Sequence, residues 1–287
     1  MPRWEALGGI IVSPDDQAPK VMGVVNITPD SFSDGIRLAT LADALAHARR
    51  LVAEGADLLD IGGESTRPGS DPVSLDEELR RVLPVVEAVA AELDVPVSVD
   101  TTKAEVARRA IAAGASIIND ITGLTGDPVM ARVAADTGAG VVIMHMAGTP
   151  RTMQKNPCYA DVVAEVHAFL ARRVDAAEAA GIPRTRIALD PGIGFGKTID
   201  HNLQLLRNLG RFASLGCAVL IGTSRKRFLG TITGRPVDER ATASVVSSLA
   251  AALAGANVVR VHDVGPMVDA IKVWSALVGW KPEESKR

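Results

Sequence analysis

Residues 97–120 read VSVDTTKAEVARRAIAAGASIIND. The run Val97 to Val99 is short, apolar and β-branched, and it ends at Asp100. A segment of helical length follows. Its opening, Thr102-Lys103-Ala104-Glu105, places a hydroxyl three residues before a carboxylate, which predicts a capping box. Ala113-Gly114-Ala115 ends the segment, because glycine just past a helix supplies the left-handed residue of a C-cap. The chain then enters a second apolar run, Ile117-Ile118, which leads into Asn119 and Asp120. This is one strand–helix–strand unit with a polar group at the end of each strand.

The same cadence extends in both directions. Val21 to Ile27 contains Asn26, Leu58 to Gly63 leads into Glu64, and Val141 to Met144 ends at His145. Ile187 to Leu189 ends at Asp190, and Val219 to Ile221 leads to Ser224, Arg225 and Lys226. Val258 to Val261 brackets Arg260 and ends at His262 and Asp263. Eight alternations of strand and helix predict the α/β class and a single (β/α)8 TIM barrel. Glycines at 55, 138, 181 and 255 repeat the C-cap signal before other strands. In that fold the C-terminal strand ends converge on one active site, so the polar endings predict an enzyme. The reading assigns residues 1–20 to an N-terminal strand or short β-hairpin, 21–280 to the barrel and 281–287 to a flexible tail. Ile10 to Ser13 is read as a strand closing the bottom of the barrel. Ser74-Leu75-Asp76-Glu77 starts a helix that Pro84 should bend or rob of a hydrogen bond.

The bulk numbers agree with one such domain. The chain has 287 residues, 47% of them hydrophobic and 23% charged. A net charge of −3 leaves no electrostatic footprint for nucleic acid or an acidic membrane. The two cysteines, Cys158 and Cys217, have no metal-ligand spacing and read as reduced thiols. No signal peptide and no apolar run of membrane length is visible, so the expected location is the cytoplasm. The most apolar stretch, 243–256, is broken by serines and reads as a buried helix.

Two loops at the predicted catalytic face stand out: Asn26-Ile27-Thr28-Pro29-Asp30-Ser31-Phe32-Ser33-Asp34-Gly35 and Gly62-Gly63-Glu64-Ser65-Thr66-Arg67-Pro68-Gly69. Either alone is compatible with a surface turn, since Pro, Asp, Ser and Gly are turn formers. Together they resemble the two signature segments of the dihydropteroate synthase family. Further segments match in order: Ser98-Val99-Asp100-Thr101, Ile118-Asn119-Asp120-Ile121, Met144-His145-Met146, Leu189 to Lys197, Ser224-Arg225-Lys226 and Arg260-Val261-His262-Asp263. The resemblance covers about residues 21–277. One departure is Ile36, where the family commonly has Gly or Ser.

The resemblance implies condensation of a pyrophosphorylated hydroxymethyl-dihydropterin with p-aminobenzoate in folate biosynthesis. It also implies a homodimer, and sulfonamide analogues as ligands. A pterin edge is an array of N–H donors, for which carboxylates and amides are the natural acceptors. Asp100, Asn119 and Asp190 are accordingly assigned to the pterin, with Lys226, Phe195, Met144 and Gly222. Arg260 would stack on the ring and reach a phosphate. Pyrophosphate falls to Asn26, Thr66, Arg67, Arg260 and His262, with Asn26 offering an oxygen to Mg2+. The aminobenzoate falls to Phe32, Thr66, Pro68, Phe195, Ser224, Arg225 and Arg227, at the expected N-terminus of a helix. Asp100, Lys226 and Arg260 carry the chemistry, Asp100 buried and ionised against a developing pterin cation. His145 and His201 are read as structural. Two other readings keep the pterin site: a methyltransferase domain holding a methylated folate, and a non-catalytic pterin-binding subunit. Thr66-Arg67-Pro68 and Ser224-Arg225-Lys226 favour the synthase over the first. Intact Asp100, Lys226 and Arg260 count against the second.

Overall fold

The computed structural model describes residues 2–27 and 40–279. Eight parallel strands form a closed barrel: β3 (Lys20–Asn26), β4 (Leu58–Gly62), β5 (Val97–Asp100), β6 (Ile117–Asp120), β7 (Gly140–Met144), β8 (Ile187–Asp190), β9 (Ala218–Ile221) and β10 (Val258–Val261), with β10 pairing back onto β3. The helices between and after them are α1 (Leu41–Ala53), α2 (Leu75–Glu92), α3 (Ala104–Ala112), α4 (Met130–Thr137), α5 (Val162–Ala179), α6 (Ile199–Arg207), the short α7 (Gly210–Ala213), α8 (Arg227–Thr233), α9 (Ala241–Leu253) and α10 (Val264–Gly279). The TIM barrel expected from the cadence is therefore present. Phe32, Ile36 and the tail 281–287 lie outside the described residues.

Two apolar clusters divide the core. The outer one takes residues such as Leu59, Ile61, Val97, Val99, Ile118 and Val141, which face the helices. The inner one takes Met22, Leu58, Ile117, Val142, Ala188, Ala218, Leu220 and Val258, which fill the barrel. An N-terminal hairpin, β1 (Trp4–Ala6) antiparallel to β2 (Gly9–Val12), adds Trp4, Ala6, Ile11 and Val12 to the inner cluster. It closes the N-terminal end of the barrel. Trp4 is completely buried, and its indole N–H donates to the Arg186 carbonyl at 3.2 Å. Gly140, at the start of β7, lets this plug in: a Cβ there would lie 2.8 Å from the Glu5 carbonyl oxygen.

Local signals mostly match. The five glycines before strands, 55, 114, 138, 181 and 255, all have positive φ. Ser74 caps α2 by accepting from Glu77 N–H, and the helix continues through Pro84. Thr102 does not cap α3. The helix begins one residue later, Asp127 from the next loop accepts the Ala104 N–H at 3.0 Å, and Thr101, donating to Glu78, accepts the Lys103 N–H at 3.2 Å. The expectation of a buried helix over 243–256 is also corrected. In α9 the buried residues are Ser244, Ser248 and Ala251, while Val246 and Leu253 are 62% and 57% exposed.

The plug yields a stability test. Trp4→Ala empties the largest buried side chain at the barrel's closed end and should cost about 3–5 kcal/mol, read as a lower urea midpoint. A change below about 1 kcal/mol would show that the hairpin is an appendage.

Candidate active site

Strand parity decides what reaches the barrel mouth. Successive strand residues alternate faces. Leu58 points inward and Leu59 outward, so Asp60 and Gly62 also point inward. The same parity sends Asn26, Asp100, Asn119, Met144, Asp190 and Arg260 inward from six other strands. Register sets Asp100 beside Asn119 and Met144 beside Asp190. Gly222, just past β9, lies close to Arg260: a Cβ there would sit 3.9 Å from the Arg260 Cβ.

At the centre is a buried ion cluster. Arg260 Nε donates to Asp60 Oδ2 at 2.6 Å, and Arg260 Nη2 donates to Asp100 Oδ2 at 3.1 Å. Asn119 Nδ2 donates to the same Asp60 oxygen at 3.0 Å. Asp60 is the residue that the sequence reading misses, because it lies within its strand rather than at the end. The available signal was phase: an acid in step with the inward residues of an apolar strand needs a buried cation. Asp60 Oδ1 and Ser98 Oγ, register neighbours, are buried with no hydrogen-bond partner among the described residues. Burial, then the Asp60 charge, push the Asp100 carboxyl up to about 8 against the pull of Arg260. Unliganded, Asp100 is thereby biased toward its protonated form, where the sequence reading expects an ionised one. Two carboxylates share one guanidinium.

The loop after β8 supplies the opposite wall. Burial raises the Asp190 carboxyl, with Lys226 and the Gly192 N–H (2.7 Å) pulling the other way. Lys226 Nζ donates to the Ile193 carbonyl and lies 4.2 Å from the centre of the Phe195 ring. Burial brings the Lys226 ammonium down to about 8, while Asp190 favours its charge. Gly192 and Gly194 have φ of 71° and 82°. A Cβ on Gly192 would overlap the His145 carbonyl oxygen, and one on Gly194 would sit 2.9 Å from Lys226 Cδ. Close approach and left-handed backbone both demand glycine there.

The rim carries the remaining candidates. α8 begins at Arg227, which is exposed, and Lys226 is its N-cap residue, so Ser224 and Arg225 occupy the preceding turn. Ser224 Oγ meets His262 Nδ1 at 2.9 Å and accepts the His262 N–H at 3.2 Å. Arg225 has φ 58°, and its guanidinium pairs with Asp263 at 2.7 Å. Thr66 is half-buried, while Arg67 and Pro68 are exposed on the loop after β4. Glu64 lines a cavity beside Asp100. It pairs with Lys103, which also binds buried Glu78 at 2.5 Å. The cavity, of about 310 Å3, is also bordered by Thr66, Glu78, Thr149 and Phe169. His201 completes a capping box with Thr198, and His145 packs edge-on against Phe169, so both have structural partners.

A divalent cation must be tested against these donors. No group of three acidic, His or Cys side chains that could hold a metal occurs among the described residues. Mg2+ needs few protein ligands when substrate phosphates and water complete its shell. Asn26 lies at the inward-facing end of β3, its Oδ1 3.5 Å from where a Cβ on Gly62 would stand. One neutral oxygen fits a Mg2+ whose remaining ligands are substrate phosphates and water.

The family model described as pterin binding enzyme matches residues 22–262. A dihydropteroate synthase of Escherichia coli strain K12 is 46% identical over 269 residues, covering 94% of each chain. This chain belongs to the dihydropteroate synthase family. It is an enzyme, and its activity is that of a dihydropteroate synthase in folate biosynthesis. The Xanthomonas albilineans dihydropteroate synthase, solved with 4-aminobenzoic acid, is 50% identical with a TM-score of 0.89, covering 98% of this chain and 99% of that one. The same enzyme is known in complex with 7,8-dihydropteroate, at 48% identity and TM-score 0.86 over 98% and 100% of the chains. The Yersinia pestis synthase, solved in a sulfonamide drug complex, is 44% identical with a TM-score of 0.92 over 96% and 99%.

The raised Asp100 has a signed consequence. Its stabilising contribution is complete below its ordinary value of 3.8 and is lost as pH rises through about 8. The stability of the unliganded synthase relative to Asp100→Asn should therefore fall from about pH 5 to about pH 8.5 in urea titrations. A difference that stays flat would show Asp100 already ionised at the lower pH.

Proposed function

We propose that the chain condenses 6-hydroxymethyl-7,8-dihydropterin pyrophosphate with p-aminobenzoate to give 7,8-dihydropteroate and pyrophosphate by a dissociative alkyl transfer. The observation that carries this reading is the convergence of Asp100, Asn119, Asp190, Lys226 and Arg260, four of them ionisable side chains, on one barrel mouth. Asp100, Asn119 and Asp190 accept from the donor edge of the pterin, and Lys226 donates to its carbonyl and ring nitrogen. Phe195, Met144 and Gly222 border the ring. Bound Mg2+, held by Asn26 with the substrate's phosphates, supplies charge neutralisation to the leaving group. Thr66, Arg67, Arg260 and His262 bind the pyrophosphate.

The C–O bond of the pterin methylene breaks with its electron pair leaving on pyrophosphate. The methylene cation is conjugated with the ring. As a carboxylate, Asp100 faces that cation in a site already shaped for it, where a fixed charge is worth more than in water. The aryl amine is neutral at pH 7, attacks carbon with its lone pair and then loses a proton to solvent. Thr66, Pro68, Phe195, Ser224, Arg225 and Arg227 would form the aminobenzoate pocket, with Arg225 held in place by Asp263, and the family resemblance adds Phe32, which lies outside the described residues. Sulfonamides, ligands of the Yersinia relative, would occupy the same pocket.

The assembly follows from a different observation. Ile232 of α8, Val246 and Leu253 of α9, and Val273, Leu277 and Val278 of α10 are exposed. In α9 exposed apolar side chains oppose buried serines, the reverse of an ordinary surface helix, and a second copy of the chain covering this apolar face of the three helices gives a homodimer. No helix among the described residues is long and apolar enough to cross a membrane, and the net charge is −3, so we place the enzyme in the cytoplasm with no nucleic-acid partner. Residues 21–280 serve as the catalytic unit and residues 1–20 as its plug.

Incubation with the pterin pyrophosphate, p-aminobenzoate and Mg2+ should yield dihydropteroate and pyrophosphate together. Pterin binding without either product would leave a binding subunit only. Lys226→Ala should weaken pterin binding and turnover. Arg225→Ala should mainly raise the KM for aminobenzoate and leave pterin pyrophosphate binding within about threefold, under ~1 kcal/mol. Identical defects in the two variants would mean that the turn acts as one electrostatic patch.

A further inference from the structure

The loop that carries Phe195 is organised around an ammonium that the proposed reaction does not use. Lys197 is 3% exposed. Its Nζ lies 2.9 Å from His145 Nδ1, 2.9 Å from the Phe195 carbonyl oxygen and 3.4 Å from the His145 carbonyl oxygen. An ammonium has three N–H donors and here meets three acceptors. His145 follows β7 directly, so these bonds tie the end of one strand to the loop after the next. Tyr159 adds a second tie, its hydroxyl donating to the Gly196 carbonyl at 2.9 Å. Gly192 is pressed against the same His145 carbonyl. The loop therefore has one seat, and Lys197 is the side chain that occupies it.

We propose that Lys197 is a positioning residue for pterin binding: its ammonium pins the 191–197 loop to His145 and so sets Phe195 and the Lys226 contact above it. This rests on the pterin reading of the Asp190 and Lys226 wall. The charge has a second effect, on Asp190. Lys197, Lys226 and Arg260 are the cations that favour the ionised Asp190 against its burial. The other titratable groups around this cluster are His145 from β7, His201 from α6, Tyr159 and, beyond Lys226, Asp100 from β5. His145 stays neutral, since burial and then Lys197 bring it down to about 3, and in the tautomer protonated at Nε2 its Nδ1 accepts from the Lys197 ammonium. Burial brings Lys197 itself down to about 7, with Asp190 opposing that fall. Ionised Asp190 thus favours the charged, three-donor form of Lys197, and the charged Lys197 favours ionised Asp190.

The experiment measures calorimetric affinity for 6-hydroxymethylpterin across pH in the full-length chain, for wild type, Lys197→Met, Lys197→Gln and Asp190→Asn. Lys197→Met should raise the Kd at least about tenfold and move the acid limb of binding to higher pH, because Asp190 loses a neighbouring cation. Lys197→Gln keeps a donor for the Phe195 carbonyl without the charge. It should recover affinity at high pH while keeping the displaced acid limb, and it carries the test alone if the Met variant does not fold. A Kd of Lys197→Met within about threefold of wild type, or an acid limb left unmoved in either Lys197 variant, would overturn the proposal, provided Asp190→Asn weakens binding at least about tenfold. If Asp190→Asn binds like wild type, the pterin reading itself is wrong.

Discussion

A guanidinium lies inside the barrel, and the polar residues around it are arranged to make that tolerable. Removing a charge from water costs several kcal/mol unless it is paired in good geometry. Arg260 meets this with two carboxylates, Asp60 below and Asp100 above, and Asn119 braces Asp60 from the side. The cluster ties four strands, β4, β5, β6 and β10, through side chains as well as backbone. It also makes the floor of the site before any ligand arrives. Because two acids share one cation, the site favours a proton on Asp100. In the proposed reaction a pterin would relieve this, first with its N–H edge and then with its methylene cation.

The mouth around this floor is asymmetric. On one side the 191–197 loop is seated by Lys197, crossed by glycines at its closest contacts and roofed by Lys226 over Phe195. On the other side, Lys103 gathers Glu64 and Glu78 and leaves a cavity open beside Asp100. The rigid side fits recognition of a flat heterocycle. The open side has room for groups that enter and leave.

The turn from Thr223 to Lys226 links the site to the outer helices. Thr223 shares hydrogen bonds with Ser247 and Ser248, and Ser244 accepts the Arg225 N–H at 2.8 Å. These hydroxyls explain why α9 buries serines. They hold a turn in which Arg225 takes a left-handed backbone, and the apolar residues of the helix are displaced outward to where a second chain can cover them.

The sequence by itself determined the barrel. Short β-branched runs, helical segments and C-cap glycines are local signals with fixed periods, and eight repeats leave few other architectures. It also determined most of the mouth, because a polar residue at the end of an apolar run is visible as a break. Asp60 was hidden because its meaning depends on phase, and phase became readable only when Leu58 was placed inside and Leu59 outside. The upward push on the Asp100 carboxyl and the seat of Lys197 were decided by tertiary structure alone. Both depend on charges distant in the chain, 160 residues apart for Asp100 and Arg260, brought together where water cannot screen them. The same holds for α9: composition shows an apolar helix, but only packing decides which of its faces the barrel claims, because the hydroxyls that the Arg225 turn requires take the inner face first.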